Sequence, residues 1–274
     1  MSRRTTSKTA FITGASSGIG EALAMELSEQ GYGLGLCARG NQRLGIVASK
    51  LRADGARILD LTCDVGQATE IAAAVTRTFD QFGSIDLLIA NAGYCVYGDF
   101  EKLDADDYER QMRVNLFGVL NTIRPALQYL KKSRGRIVIT GSVSGHIGLP
   151  GRSAYAMSKF ALRGLAESLA IELAGTGVSV TLVTPGYVRT STRKVDRLGT
   201  YREEYIDSVP AGLQADPRTV ARKILRAAAW RRLEIVITGH ALLLVLLQRW
   251  LPGFLPRFLM LKQALKYRRA LTGK

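Results

Sequence analysis

An α/β fold, a parallel sheet covered by helices on both faces, is what this sequence predicts, and three observations carry it. Short apolar, β-branched runs alternate with helix-length amphipathic segments through most of the chain. The strand-like runs are nearly continuous in apolar residues, as strands buried on both faces must be. A glycine-rich turn, Thr13-Gly-Ala-Ser-Ser-Gly-Ile-Gly20, follows the first run and opens the first helical pattern. The chain has 274 residues, 47% of them hydrophobic, which is ample for a buried core.

In chain order, Thr9–Thr13 reads as the first strand and residues 18–30 as the helix after the turn. Gly33–Ala38 is the second strand and residues 57–63 the third. Residues 85–90, Arg136–Thr140, residues 179–183 and residues 234–238 complete a set of seven. Helical patterns fill the gaps at 67–82, 105–131, 153–173 and 219–231. Residues 191–216 are polar, charged and poorly periodic. They read either as a loop covering a site or as a plain surface excursion. No internal repeat or low-complexity linker is visible, so residues 1–239 are taken as one domain.

The net charge of +15 is unevenly spread. Residues 217–274 hold 13 Lys and Arg against one acid, Glu234. Such asymmetry points to a polyanionic partner. Residues 240–274 form a separate extension. Residues 241–247 are wholly apolar, Arg249 and Trp250 follow, and apolar residues mixed with bases resume at Phe254. The first run spans about 18 Å as a helix, too short for a bilayer core of about 30 Å. Trp, Phe and Leu mixed with Arg and Lys suit an interfacial segment. Packing on the domain or on another subunit is the other reading. The leucine-rich content argues against a solvated phosphate groove, so no nucleic-acid partner is expected.

Cys37, Cys63 and Cys95 are odd in number and lack metal-ligand spacing, which fits reduced thiols better than a disulfide framework. His146 and His240 have no partner spacing that suggests a metal, and no metal site is expected. The first eight residues lack an apolar core, so no secretory signal is expected. The location expected is cytoplasmic, peripheral at the cytoplasmic membrane face if the extension binds lipid.

The glycines of the turn permit close backbone approach to a pyrophosphate, and a helix N-terminus supplies free N–H groups. At the end of the second strand, a carboxylate would bond an adenosine ribose and reject a 2′-phosphate. The chain has Cys37-Ala38-Arg39 there instead. Arg39, assisted by Arg43, can clamp a phosphate, which favours NADP(H) over NAD. Asp64 is placed to accept from an adenine amino group, or else simply caps its loop.

Tyr155 and Lys159 stand four residues apart, on one face of a helix. A nearby ammonium favours the phenolate, which would tune Tyr155 for proton exchange with a carbonyl or alcohol. By itself Tyr-x-x-x-Lys is common on amphipathic helices. Here it joins the glycine turn, Asp64, Asn91-Ala92-Gly93, Asn115, Ser142, Pro185-Gly186 and Thr190. In that order and spacing, residues 8–240 resemble the short-chain dehydrogenase/reductase family.

The resemblance implies a Rossmann-type, doubly wound parallel seven-stranded sheet, here with a C-terminal helical extension. It implies hydride transfer between a nicotinamide and a carbonyl/alcohol pair. Tyr155 would be the general acid in reduction and Ser142 the hydrogen-bond donor to the substrate oxygen. Lys159 would hold the nicotinamide ribose and lower the Tyr155 pKa, and Asn115 would support a water-linked proton path to Lys159. Gly14, Ser16, Ser17, Gly18, Ile19 and Gly20 would cradle the pyrophosphate. Arg39, Asp64, Val65, Asn91, Ala92 and Gly93 would border the adenosine and the middle of the cofactor. Pro185, Gly186, Val188 and Thr190 would position the nicotinamide end. The family often has two asparagines before Ala-Gly, and here the first is Ala90. The resemblance also implies a homodimer or homotetramer through the helices at 105–131 and 153–173, which by their own pattern are only long amphipathic helices.

His146, Leu149 and Tyr187, with Tyr94, Val96 and Ile147, fall near the substrate side of such a cleft. They are mostly apolar, and His146 is either a polar selector or a plain loop histidine. The expected substrate is a small lipophilic ketone, such as a 3-keto lipid or a steroid. The alternatives are an NADP-dependent alcohol dehydrogenase working in the oxidative direction, and a non-catalytic nucleotide-sensing or membrane-scaffold protein.

Overall fold

The computed structural model describes residues 8–205 and 209–272. Seven strands form one sheet: β1 (Thr9–Thr13), β2 (Gly33–Ala38), β3 (Ile58–Thr62), β4 (Leu87–Ala90), β5 (Arg136–Thr140), β6 (Ser179–Thr184) and β7 (Glu234–Val236). All neighbours pair in parallel, in the order β3-β2-β1-β4-β5-β6-β7. The direction of winding reverses between β1 and β4. A crevice therefore opens beyond their carboxyl ends, where ligands of such sheets bind. This is the doubly wound Rossmann-type architecture expected from the sequence.

The helices are α1 (Gly18–Glu29), α2 (Asn41–Ala53), α3 (Ala68–Phe82), α4 (Ala105–Met112), α5 (Gly118–Ser133), α6 (Ser153–Glu172), α7 (Pro217–Ala229), α8 (Gly239–Trp250) and α9 (Phe254–Thr272). One core lies between the sheet and α1 and α7, with Leu23, Leu27, Ile12, Val183 and Ile224 buried together. The second lies on the other face against α3, α5 and α6, around Ile71, Val75, Ile123, Ile137 and Leu162.

Two features depart from the expected pattern. The single helix expected at 105–131 is broken by a π-helical turn, Arg113–Phe117, which carries Asn115 inward to full burial. Cys37 and Cys63, expected as reduced thiols, are joined by a disulfide with their Cα atoms 6.1 Å apart. Adjacent strand ends bring them together: Cys37 pairs with Leu61 across β2 and β3. Cys95 is the free cysteine among the described residues, and it is buried.

Candidate functional site

A cleft of about 560 Å³ runs along the carboxyl ends of the strands. At one end, Gly14, Ser16, Ser17, Gly18 and Ile19 line it at the start of α1. This turn fits a closely approaching backbone or phosphate. Gly14 and Gly18 have φ of +66° and +60°, and a Cβ on Gly14 would lie 2.9 Å from Ala92 Cα. Gly20 is buried just below the turn, where a Cβ would collide with the Gly14 carbonyl.

Asn91 braces the reversal of winding. Its Nδ2 donates to the Thr13 and Gly14 carbonyls at 3.1 and 3.4 Å, and its Oδ1 accepts from Thr140 Oγ1 at 3.3 Å. Thr13 Oγ1 in turn accepts from the Asn91 and Ala92 amides at 3.0 and 3.1 Å. One side chain thus ties the ends of β1, β4 and β5, and these bonds do not involve the departing residue Ala90.

Beyond β2, Arg39 and Arg43 enter the cleft with Cys63 and Val65. Arg39 Nη2 donates to the Gly199 carbonyl at 2.9 Å, and the Arg43 guanidinium lies 4.6 Å from the Tyr201 ring centroid. The loop after β6 therefore folds over this end of the cleft, which is the covering role rather than the plain excursion. Asp64 does not line the cleft. Its Oδ1 accepts from the Gly66 amide at 2.9 Å, so the carboxylate caps its own turn.

At the other end stand Ser142, Tyr155 and Lys159, with Gly93, Tyr94, Pro185, Gly186, Val188 and Thr190. Tyr155 lies in the first turn of α6, and Lys159 follows one turn on, its Nζ 5.6 Å from the phenol ring centroid. Lys159 Nζ donates to the Thr140 carbonyl at 2.7 Å. Burial pushes its pKa down to about 8. Burial also pushes the Tyr155 phenol up, against a lowering hydrogen bond from Ser142 and the nearby Arg152 and Arg193 charges. The net lowering of Tyr155 expected from Lys159 is not found: burial dominates, and the phenol stays protonated at neutral pH. A protonated phenol beside a serine hydroxyl is equipped to give a proton to a carbonyl oxygen.

Asn115 faces the backbone rather than the cleft. It donates to the Tyr94 carbonyl and Ser158 Oγ at 3.0 and 3.1 Å and accepts from the Tyr94 amide at 3.1 Å. Ser158 Oγ donates to the Tyr155 carbonyl at 2.7 Å. The π-turn thus supports the first turn of α6 from behind.

Three expected substrate residues are not brought to the cleft. His146 is buried, with Nε2 2.8 Å from Glu234 and Nδ1 2.9 Å from Arg163. A guanidinium only donates, so Nδ1 accepts and Nε2 donates to Glu234. Burial raises the Glu234 pKa, but bonds from His146 and Thr184 outweigh it and hold the carboxyl below its usual range. Tyr187 stacks on His240 at 5.3 Å between centroids, and its amide donates to His240 Nε2 at 3.1 Å. Burial lowers the His240 pKa, which keeps that nitrogen an acceptor. Leu149 is half-buried outside the lining. Instead the lining holds Thr192, Arg193, Val195, Gly199, Thr200 and Tyr201. The aperiodic stretch at 191–216 marked their loop, but no residue pattern singled them out.

Residues 8–199 match the short chain dehydrogenase family, and the chain belongs to it. It is 36% identical over 230 residues to the oxidoreductase UcpA of Salmonella typhimurium, covering 83% of this chain and 82% of that protein. Among solved structures it is similar to a short-chain dehydrogenase/reductase of Burkholderia phymatum in complex with NAD. The TM-score is 0.80 and the identity 27%, over 89% of this chain and 93% of that one. An alcohol dehydrogenase of Thermococcus sibiricus complexed with 5-hydroxy-NADP gives a TM-score of 0.72 at 28% identity, over 84% and 95% of the two chains. The protein is an oxidoreductase of this family.

Proposed function

We propose that this oxidoreductase uses NADP(H) to reduce a lipophilic ketone. The observation that carries the reading is the polarity of the cleft. Its adenosine end presents Arg39 and Arg43, and no Asp or Glu stands among the described residues that line it. Two guanidiniums suit a 2′-phosphate, and no lining carboxylate is there to repel it. The glycine cradle at Gly14 and Gly18 admits the pyrophosphate. Arg39 would exchange its bond to Gly199 for the phosphate. Asp64 is left out of this reading, since its carboxylate is committed to Gly66.

Held by the glycine turn and the two arginines, the reduced cofactor would supply the hydride that the carbonyl carbon takes up. The protein supplies the rest. Ser142 donates to the carbonyl oxygen, and Tyr155, held neutral by burial, passes its phenolic proton to that oxygen as negative charge develops. Lys159, fixed on Thr140, stabilises the phenolate left behind, and Asn115 keeps Ser158 and the Tyr155 backbone in place. A protonated phenol is the form that reduction uses, whereas alcohol oxidation would use the phenolate. Complete catalytic machinery argues against a non-catalytic scaffold.

Of the apolar residues expected at the substrate, Tyr94 lines the cleft with Val96 packed against it, and a lipophilic substrate is inferred from that wall, while Ile147 is buried outside the lining. Self-association through α4–α5 and α6 belongs to the same reading, because Phe117, Met157, Phe160 and Ile171 stand exposed there. The test is cofactor oxidation over ketones of graded chain length, with NADPH and NADH in parallel, for the wild type and Tyr155→Phe. NADPH-selective turnover that rises with chain length is expected, with kcat in the variant lower by about 10²–10⁴-fold and NADPH binding kept. Full turnover in Tyr155→Phe would sink the mechanism, and NADH selectivity the cofactor assignment.

A further inference from the structure

We propose that α8 and α9 form an elbow that docks the protein on an anionic lipid surface. Two apolar stripes are turned to solvent. On α8, Leu243, Leu246 and Trp250 recur at i, i+3 and i+7, with Leu243 59% and Trp250 76% exposed. On α9, Phe254, Phe258, Leu261 and Leu265 recur at i, i+4, i+7 and i+11, and all are exposed. Water tolerates few contiguous apolar surfaces of this kind, and such patches mark docking sites.

The occupant follows from charge and length. From residue 235 onward the chain holds seven Lys and Arg and no acid. Arg249, Arg257 and Lys262 are exposed beside the stripes. Two copies meeting through this segment would face each other with like charge, which opposes pairing. Anionic headgroups reverse that sign while the acyl boundary takes up the stripes. Among the described residues no single helix is long and apolar enough to cross a membrane, and α8 and α9 meet at 109°. The elbow therefore lies in the interface. Trp250, beside the bend, has the amphipathic ring that settles at headgroup depth.

The elbow is fixed to the catalytic body, so docking sets the orientation of the cleft. Ala241 is fully buried and Leu255 nearly so, at 0% and 7% exposure. His240, at the start of α8, holds the Tyr187 amide and ring, and Tyr187 lies between the lining residues Gly186 and Val188. The lipid surface thus lies next to the substrate end of the cleft. Docking stands whichever ketone is reduced, and only its use in substrate delivery rests on the lipophilic reading.

The experiment is co-sedimentation of the full chain with vesicles of phosphatidylcholine alone and of phosphatidylcholine containing about one third phosphatidylglycerol, at low and high salt. Turnover of a short water-soluble ketone and light scattering without lipid run alongside. Binding to the anionic vesicles is expected, lost at high salt. It should weaken at least tenfold in Arg257→Glu/Lys262→Glu, since each basic residue near such a surface contributes about 1 kcal/mol. Leu243→Ser/Phe258→Ser should weaken it similarly, with soluble turnover unchanged in both variants. Two results overturn the proposal: no preference for anionic over neutral vesicles, or a lipid-free dimer that Leu243→Ser/Phe258→Ser dissociates while vesicle binding is absent. Loss of binding without loss of soluble turnover separates docking from the catalytic reading. If Tyr155→Phe turned over normally, that reading would fail while the docking stood.

Discussion

Lys159 Nζ is held by the carbonyl oxygen of Thr140 at 2.7 Å, so the last residue of β5 fixes the cation that follows Tyr155 on α6. A carbonyl accepts a bond from the ammonium but does not neutralise it, and burial brings its pKa down from 10.5 to about 8. Below that value the site carries a positive charge next to the phenol, and above it the charge is lost. For ketone reduction, kcat/KM should therefore fall as pH rises through about 8, and Lys159→Ala should lose about 10²–10⁴-fold at pH 7. A pH–rate profile with saturating cofactor checks this. A profile flat from pH 6 to 10 would remove Lys159 from the proton step. The same shift has a stability sign. Between about 8 and 10.5 the unfolded chain holds this proton and the folded one does not, so the lysine's contribution to stability improves as pH rises through that window.

If the cofactor is NADP(H), as proposed, Arg39 should govern its choice. A charge-assisted bond to a phosphate is typically worth about 1.5–3 kcal/mol, so Arg39→Ala should raise the KM for NADPH by roughly tenfold to a hundredfold. The KM for NADH should change little, since it lacks the 2′-phosphate. The loop contact contributes a second effect, because the substitution also frees Gly199. Initial rates with both cofactors distinguish these. An equal rise for NADPH and NADH would mean that Arg39 acts through the loop alone.

The sheet was legible because its evidence is local. Thr9–Thr13, Gly33–Ala38 and Arg136–Thr140 are apolar runs bounded by polar or glycine residues, and each forms the strand expected. The site was legible where a short motif lies on one element, as in the glycine turn and the Tyr155–Lys159 pair. What was illegible depends on distant partners. His146 follows Ser142 closely, yet its direction is set by Glu234, 88 residues away, and by Arg163. The inward turn at Asn115 needs one extra residue in a helix whose apolar pattern runs on through it. Cys37 and Cys63 look scattered until the strand order makes β2 and β3 neighbours.

Asp107 should anchor the covering loop. Its side chain is fully buried and meets Arg110 at 2.6 Å and Arg197 at 2.5 Å. Burial raises its pKa, but bonds from Arg197 and Arg110 outweigh this and hold the carboxyl below its usual range. The stabilisation is therefore present above the unfolded value near 3.8 and is lost as pH falls through the lower folded value. Asp107→Asn leaves two cations facing an uncharged amide. It should lower the melting temperature by several degrees at pH 7, with a smaller deficit in strong acid. Calorimetry across pH checks this, and a deficit that does not change with pH would deny the ionic anchor.

Cys37 and Cys63 sit at the Arg39 end of the cleft, where Cys63 is part of the lining. Joined, they tie β2 to the residue that follows β3, just before Arg39 and Asp64. Purified without reductant and denatured, the protein should give one titratable thiol per chain, from Cys95, and three after reduction. Because the bridge lies inside a sheet already held by the β2–β3 ladder, its reduction should leave Tyr155-dependent turnover at saturating NADPH nearly unchanged. The effect should appear in the KM for NADPH, through the freedom given to the strand end that carries Arg39. Thiol counting with an aromatic disulfide reagent, paired with kinetics before and after reduction, separates these outcomes. Three thiols in the unreduced protein would show that the two cysteines are not joined in solution.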